Sequence, residues 1–141
     1  MLDYNRDFIL RHGAMDIIFI QDFRVETLIG IYEWERRVPQ TIQLDIEIGN
    51  PGSRAASTDA IEDTIDYGAV VNRIEETLHQ QHFLLLERLA EHIANIILGE
   101  FGAPWVKVSV AKLQLLRGVK RLGVTIERGV KERAIDPGPL L

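Results

Sequence analysis

Apolar and polar residues alternate along much of this chain, and the period changes in its middle third. Residues 40–49, QTIQLDIEIG, place Ile42, Leu44, Ile46 and Ile48 in one phase and Gln43, Asp45 and Glu47 in the other. A period of two sends successive side chains to opposite faces, so this segment is predicted to be a half-buried antiparallel strand. The earlier run 16–31, DIIFIQDFRVETLIGI, is also β-rich, with Ile18, Ile20, Phe23, Val25 and Leu28 among polar alternates. Gly30 marks a bend, and residues 32–38, YEWERRV, are a charged connection closed by Pro39. The second strand stops at Asn50-Pro51-Gly52-Ser53, a cluster of turn formers.

Beyond a polar connection at 54–66, the period lengthens. Val70 (or Val71), Ile74 and Leu78 recur every three to four residues, which predicts a helix over 67–80. A second helix is expected from about 84 to 100, with Leu86, Leu89, Ala90, Ile93, Ile96 and Ile97 as its apolar face and Gly102 and Pro104 as its stop. Alternation returns in WVKVSVAKL (105–113) and again in RLGVTIER (121–128). The order β-β-α-α-β-β, with strand pairs at both ends, points to an α+β domain: one antiparallel sheet with helices on one face. No internal repeat shows at the level of residue identity.

Composition narrows the function classes. The 141 residues suit one domain, 46% of them are hydrophobic, and the net charge is −5. A chain of this size buries only about 68–70% of its unfolded surface, so assembly into a homo-oligomer is an open route to further burial. The acidic balance argues against nucleic acid, which requires clustered Lys and Arg. There are no cysteines, so disulfides, thiolate metal sites and cysteine nucleophiles are excluded, in keeping with a cytoplasmic location. No apolar run nears the roughly 18 residues of a membrane span. Residues 1–14 read as an appendage without a signal peptide's apolar core, and 130–141, with two prolines, as a loosely docked tail. The domain proper is expected to cover 15–129.

Four side chains carry candidate chemistry, and each has an ordinary structural explanation beside it. Glu87 opens the second helix, where the helix dipole favours a carboxylate; it is also suited to accept paired hydrogen bonds from a flat, guanidine-like edge. Tyr67 opens the first helix, either as a half-buried aromatic staple or as a phenolic proton donor and acceptor. Lys112 ends an apolar strand, either pointing into water or acting as a general acid–base. Glu35, beside Trp34, reads alone as a surface carboxylate. His79 and His82 are three apart, as two ligands on a helical face would be, but no third ligand stands near, so no metal is expected.

The segments GIYEWE (30–35), DYGAVVNRIE (66–75), FLLLERLAEHIANIIL (83–98), FGAPWVKVSVAK (101–112) and VTIERG (124–129) resemble, in order and spacing, the dihydroneopterin aldolase family. The resemblance covers roughly residues 15–129. It implies the tunnelling fold (T-fold), a four-stranded antiparallel sheet backed by two helices. In that family such sheets join into a ring-forming barrel, and two homotetrameric rings usually stack as a homo-octamer with sites between subunits. It implies a lyase of folate biosynthesis that performs a retro-aldol cleavage of 7,8-dihydroneopterin without metal or cofactor, with some epimerisation at C2′. By matched position, Glu87 and the backbone at Leu86 bind the pterin, Lys112 handles protons at the ring nitrogen and side-chain hydroxyl, Tyr67 from a neighbouring subunit protonates the enol intermediate, and Glu35 orders water and the hydroxylated side chain. One segment departs from the aldolase pattern. Lys112 is followed by Leu113-Gln114-Leu115-Leu116-Arg117 rather than by proline. This is similar to dihydroneopterin triphosphate 2′-epimerase, where Arg117 would meet phosphate. A non-catalytic pterin binder is the remaining alternative.

Overall fold

The structure is a computed structural model and describes residues 15–52 and 54–131. Four strands, β1 (Asp16–Thr27), β2 (Gln40–Asn50), β3 (Trp105–Leu113) and β4 (Arg121–Gly129), form one antiparallel sheet in the order β1-β2-β3-β4. Three helices lie between β2 and β3: α1 (Arg54–Thr58), α2 (Tyr67–Gln80) and α3 (Leu86–Gly99). The two long helices pack on one face, α2 against β1 and α3 against β3 and β4. The predicted α+β architecture is the observed one.

Alternation decides which face they cover. Ile42, Leu44, Ile46 and Ile48 of β2 and Val106, Val108 and Val110 of β3 are buried beneath Val70, Ile74, Leu89, Ala90, Ile93 and Ile97. Val70 rather than Val71 faces the core. Residues in the opposite phase, such as Asp45, Glu47, Lys107 and Ser109, line a polar sheet face with a concavity of about 920 Å³ across its centre. The two outer strands, β1 and β4, each leave one backbone edge unpaired among the described residues.

Local chemistry moved several boundaries. The first strand stops at Thr27 rather than running on to residue 31, because the chain turns to cross the end of the sheet; Ile29 then bridges Phe83 in parallel. Asp22, at a φ of +53°, makes a bulge in β1, where its amide reaches Asp45 Oδ1 at 2.9 Å. The 54–66 connection is more ordered than its polarity suggested: it contains α1 and a 3₁₀ turn at Ile61–Asp63, which Arg54 and Thr58 tie together through Asp63. Helix α2 ends at Gln80, so His79 and His82 do not share a helical face. The expectation for 1–14 and most of that for 130–141 lie outside the described residues. The start of the tail is docked: the Val130 amide bonds the Pro104 carbonyl, and Lys131 covers the ring of Trp105. No helix among the described residues is long and apolar enough to cross a membrane.

A pair of polar contacts fixes the helices. Thr27 Oγ1 donates to the Leu78 carbonyl at 2.8 Å, pinning the end of α2 to β1. Thr77 Oγ1 and His92 Nε2 share a hydrogen bond of 2.9 Å between α2 and α3. Burial disfavours the charged imidazole of His92, the cations Arg88 and Arg73 add to this, and its pKa lies below the usual 6.5 despite the opposing Glu100. The unfolded chain therefore takes up this proton first, so the contribution is intact above about 6.5 and is lost as pH falls below it. We expect the urea midpoint to drop between about pH 7.5 and pH 5.5, and His92→Gln to flatten that slope. An unchanged slope in the variant would assign it to other groups.

Candidate active site

Lys112 continues the buried phase of β3, two residues beyond Val110 and opposite Ile42 of β2. Strand periodicity thus turns it inward, and its residue is only 9% exposed. Its partner is Glu35, 2% exposed, whose Oε2 accepts a hydrogen bond from Nζ at 2.5 Å. Two residue-level expectations are corrected here. Lys112 does not point into water, because a strand's phase persists to its last residue. Glu35 is not a surface carboxylate, because the 3₁₀ turn Trp34–Arg36 rolls it beneath the chain crossing.

Two further groups hold this carboxylate, and a glycine leaves room for it. Gln40 Nε2 donates to Glu35 Oε2 at 3.0 Å and to the Ile29 carbonyl at 2.8 Å. The Tyr32 amide donates to Oε1 at 3.3 Å. Gly30, at a φ of +131°, passes so close that a Cβ there would lie 2.2 Å from the carboxyl carbon of Glu35. Glycine is required at this position by both its backbone angle and the space. Burial alone would raise the Glu35 pKa. The hydrogen bonds from Lys112, Gln40 and Tyr32, with the lysine's charge, outweigh it and hold the carboxyl below its usual 4.5. The pair is therefore an ionised carboxylate against a lysine at neutral pH. Gln40 also lines a cavity of about 600 Å³, together with Trp34, Leu113, Gln114, Lys120 and Arg121.

The other expected site residues lie elsewhere. Leu86 and Glu87 are the first two residues of α3, Leu86 buried and Glu87 exposed, and no side chain caps this helix. They remain connected to the ion pair, because the Gly30 amide bonds the Phe83 carbonyl at 3.0 Å, three residues before Leu86. Tyr67 stands at the opposite end of the helical layer. It is 61% exposed, so it is no half-buried staple. Asp66 caps its helix through the Ala69 amide, and buried Asn50 accepts from the Ile65 amide, which fixes the approach. Helix α2 has 14 residues, and at 1.5 Å per residue it puts roughly 20 Å between Tyr67 and the end where Glu87 begins. One chain therefore brings together Glu35 and Lys112, holds Glu87 nearby, and keeps Tyr67 apart. Among the described residues no three His, Asp or Glu side chains are grouped to hold a metal ion.

Gln40 and the Gly30 backbone were missed as site elements. Gln40 had a readable signal: it shares the phase of Ile42 to Ile48, so it is a polar residue at a core-facing position.

Comparison with known proteins identifies the family. The family model FolB, dihydroneopterin aldolase, matches residues 18–127. The chain belongs to the dihydroneopterin aldolase family. It is 35% identical over 115 residues to the dihydroneopterin aldolase of Escherichia coli K12, covering 82% of this chain and 94% of that one. The crystal structure of the E. coli dihydroneopterin aldolase in complex with neopterin superposes with a TM-score of 0.78 at 35% identity, covering 82% of this chain and all of that one. The E. coli dihydroneopterin triphosphate 2′-epimerase is 29% identical over 110 residues, covering 78% of this chain and 92% of its own. The aldolase is thus the more similar of the two, even though the residues after Lys112 lack the expected proline.

Removing one member of a buried ion pair leaves the other charge without its partner. Glu35→Ala and Lys112→Ala should each lower stability by roughly 3 kcal/mol, and the double variant by little more than either. Chemical denaturation of the four proteins measures this. Additive losses would show that the two charges do not depend on each other.

Proposed function

We propose that Glu35, Tyr67, Leu86, Glu87 and Lys112 form a pterin site shared between two copies of the chain, at which this dihydroneopterin aldolase cleaves 7,8-dihydroneopterin into 6-hydroxymethyl-7,8-dihydropterin and glycolaldehyde. The observation that carries the reading is the buried Lys112–Glu35 pair, held 2.5 Å apart and joined through Gln40 to the wall of an open cavity. A lysine fixed against an ionised carboxylate can pass a proton to or from a substrate hydroxyl without a large movement.

The chemistry follows from what the substrate supplies. Loss of the 2′-hydroxyl proton, through water to Lys112, lets the C1′–C2′ bond break. Its electron pair flows into the pterin C=N bond, which takes up a proton at nitrogen, and glycolaldehyde departs. The enol-like intermediate is then protonated at C1′ by Tyr67 as the ring nitrogen gives up its proton, which restores the C=N bond and, through water, the tyrosine. Glu35 orders the water and the hydroxylated side chain. Because the substrate's own C=N bond takes the electrons, the protein's work is positioning and proton transfer. Glu87 supports the anchoring role: exposed in the first turn of α3, it can accept two hydrogen bonds from the pterin amino and ring N–H groups, beside the Leu86 backbone. Re-addition of the intermediate's C1′ to the other face of the glycolaldehyde carbonyl accounts for epimerisation at C2′.

Two observations support sharing between copies. Tyr67 is exposed and roughly 20 Å from Glu87 along the helical layer. The unpaired edges of β1 and β4 give neighbouring sheets a way to join into a ring, which removes exposed edges by closure. A homo-octamer of two stacked tetrameric rings, acting in the cytoplasm, is the assembly this reading takes.

The purified protein should release glycolaldehyde from dihydroneopterin. Altered 2′ stereochemistry in the triphosphate, with no cleavage, would favour the epimerase instead. Lys112→Ala should lower kcat by about 10²–10⁴ with little loss of neopterin binding. Glu87→Ala should weaken binding by roughly 100-fold. The reverse pattern would reject these roles. Co-expressing Tyr67→Phe with Lys112→Ala should restore activity that neither variant has alone, since some mixed interfaces regain both groups. No restoration would place Tyr67 and Lys112 in the same copy.

A further inference from the structure

His82 lies in the five-residue link between α2 and α3, outside every role given above. Its Nε2 is 3.2 Å from the Gly30 carbonyl. A carbonyl oxygen only accepts, so the imidazole N–H donates, and this fixes which nitrogen carries the proton. The neighbouring Phe83 carbonyl accepts from the Gly30 amide at 3.0 Å. Both polar groups of Gly30 are therefore held by consecutive residues of the link. Gly30 is also the residue whose missing side chain leaves room for the Glu35 carboxyl, 2.2 Å from where a Cβ would stand.

We infer that His82 is a positioning residue for the Lys112–Glu35 pair, which it serves by orienting the Gly30 peptide beneath the Glu35 carboxylate. This rests on the proposed role of Glu35 in proton handling. The Phe83 bond sets where Gly30 lies. The His82 bond sets how its carbonyl is turned, and so prevents that peptide from rotating toward the carboxylate, where its oxygen would repel the charge. The same link leads into Leu86 and Glu87, so His82 also ties the distance between the proton-handling pair and the pterin anchor to a single stretch of backbone. His82 is exposed, which puts its hydrogen bond at the weaker end of the usual range.

The test compares His82→Phe, which keeps a ring and removes the donor, with His82→Gln, which keeps a donor. For dihydroneopterin cleavage, kcat should fall about three- to tenfold in His82→Phe, with KM and the neopterin dissociation constant within about twofold of wild type. His82→Gln should recover most of the loss. Amide exchange at Gly30 and Tyr32 should quicken in His82→Phe alone. Wild-type kcat in His82→Phe, or an equal loss in both variants, overturns the inference. If Glu35→Gln itself turns over normally, the role of Glu35 fails. The tether is then judged by amide exchange, and unchanged exchange in His82→Phe rejects it.

Discussion

The end of the sheet is organised around two opposite charges buried against each other. Lys112 and Glu35 are exposed by only 9% and 2%. Neither would be tolerated there alone, since an unpaired charge in such a place costs several kcal/mol. That constraint reaches well beyond the two residues. It requires β3 to keep its phase to its last turn, and it requires a 3₁₀ turn to roll Glu35 inward. It requires a glycine at a φ of +131° so that the backbone clears the carboxylate, and Gln40 and the Tyr32 amide to occupy the remaining lone pairs. No buried side-chain polar atom is left without a partner among the described residues. Three groups, Lys112, Gln40 and the Tyr32 amide, hold the carboxylate ionised although burial pushes the other way, so it stays an acceptor throughout the neutral range.

The fold was legible because its strands obey a strict period of two and its helices a period near 3.6. β2 and β3 could be read almost to the residue, as could α2. The same periodicity held a second message. Gln40 and Lys112 are polar residues in phase with the buried rows of β2 and β3, whereas Glu47 and Lys107 are out of phase and form a half-buried pair across the strands on the other face. A polar side chain on the buried phase must find a partner, so these two residues marked the site's floor without reference to any family. Glu35 could not be found this way. It belongs to a connection with no period, and its burial depends on contacts with residues 5 and 77 positions away. The short α1 was hidden for a related reason: its five residues include no buried side chain to set a pattern.

Resemblance and geometry contributed different things. The resemblance gave roles to Tyr67, Glu87 and Lys112 and implied that Tyr67 comes from a neighbouring subunit. The structure sorts them by element: Lys112 and Glu35 at the sheet end, Glu87 one short link away, and Tyr67 at the far end of the helical layer. Two antiparallel helices joined by a tight link must place their N-termini at opposite ends, whatever the side chains are. Two functional residues that each open one of those helices therefore cannot meet within the chain.

That geometric fact gives the proposed shared site its physical basis. A chain of this size has little interior in which to sink a deep pocket, and among the described residues its sheet has two unpaired edges. Joining edges between copies satisfies backbone groups that would otherwise face water or strange partners. In the proposed assembly it would also offer a neighbour's Tyr67 to the face that carries Lys112 and Glu87. The anchor and the proton-handling pair stay within one copy, linked through Phe83 and Gly30, so their spacing does not depend on how subunits pack. In the proposed site only Tyr67, the group assigned to protonate the intermediate, has to cross the interface. The step that ends the proposed reaction would thus be the one that assembly controls.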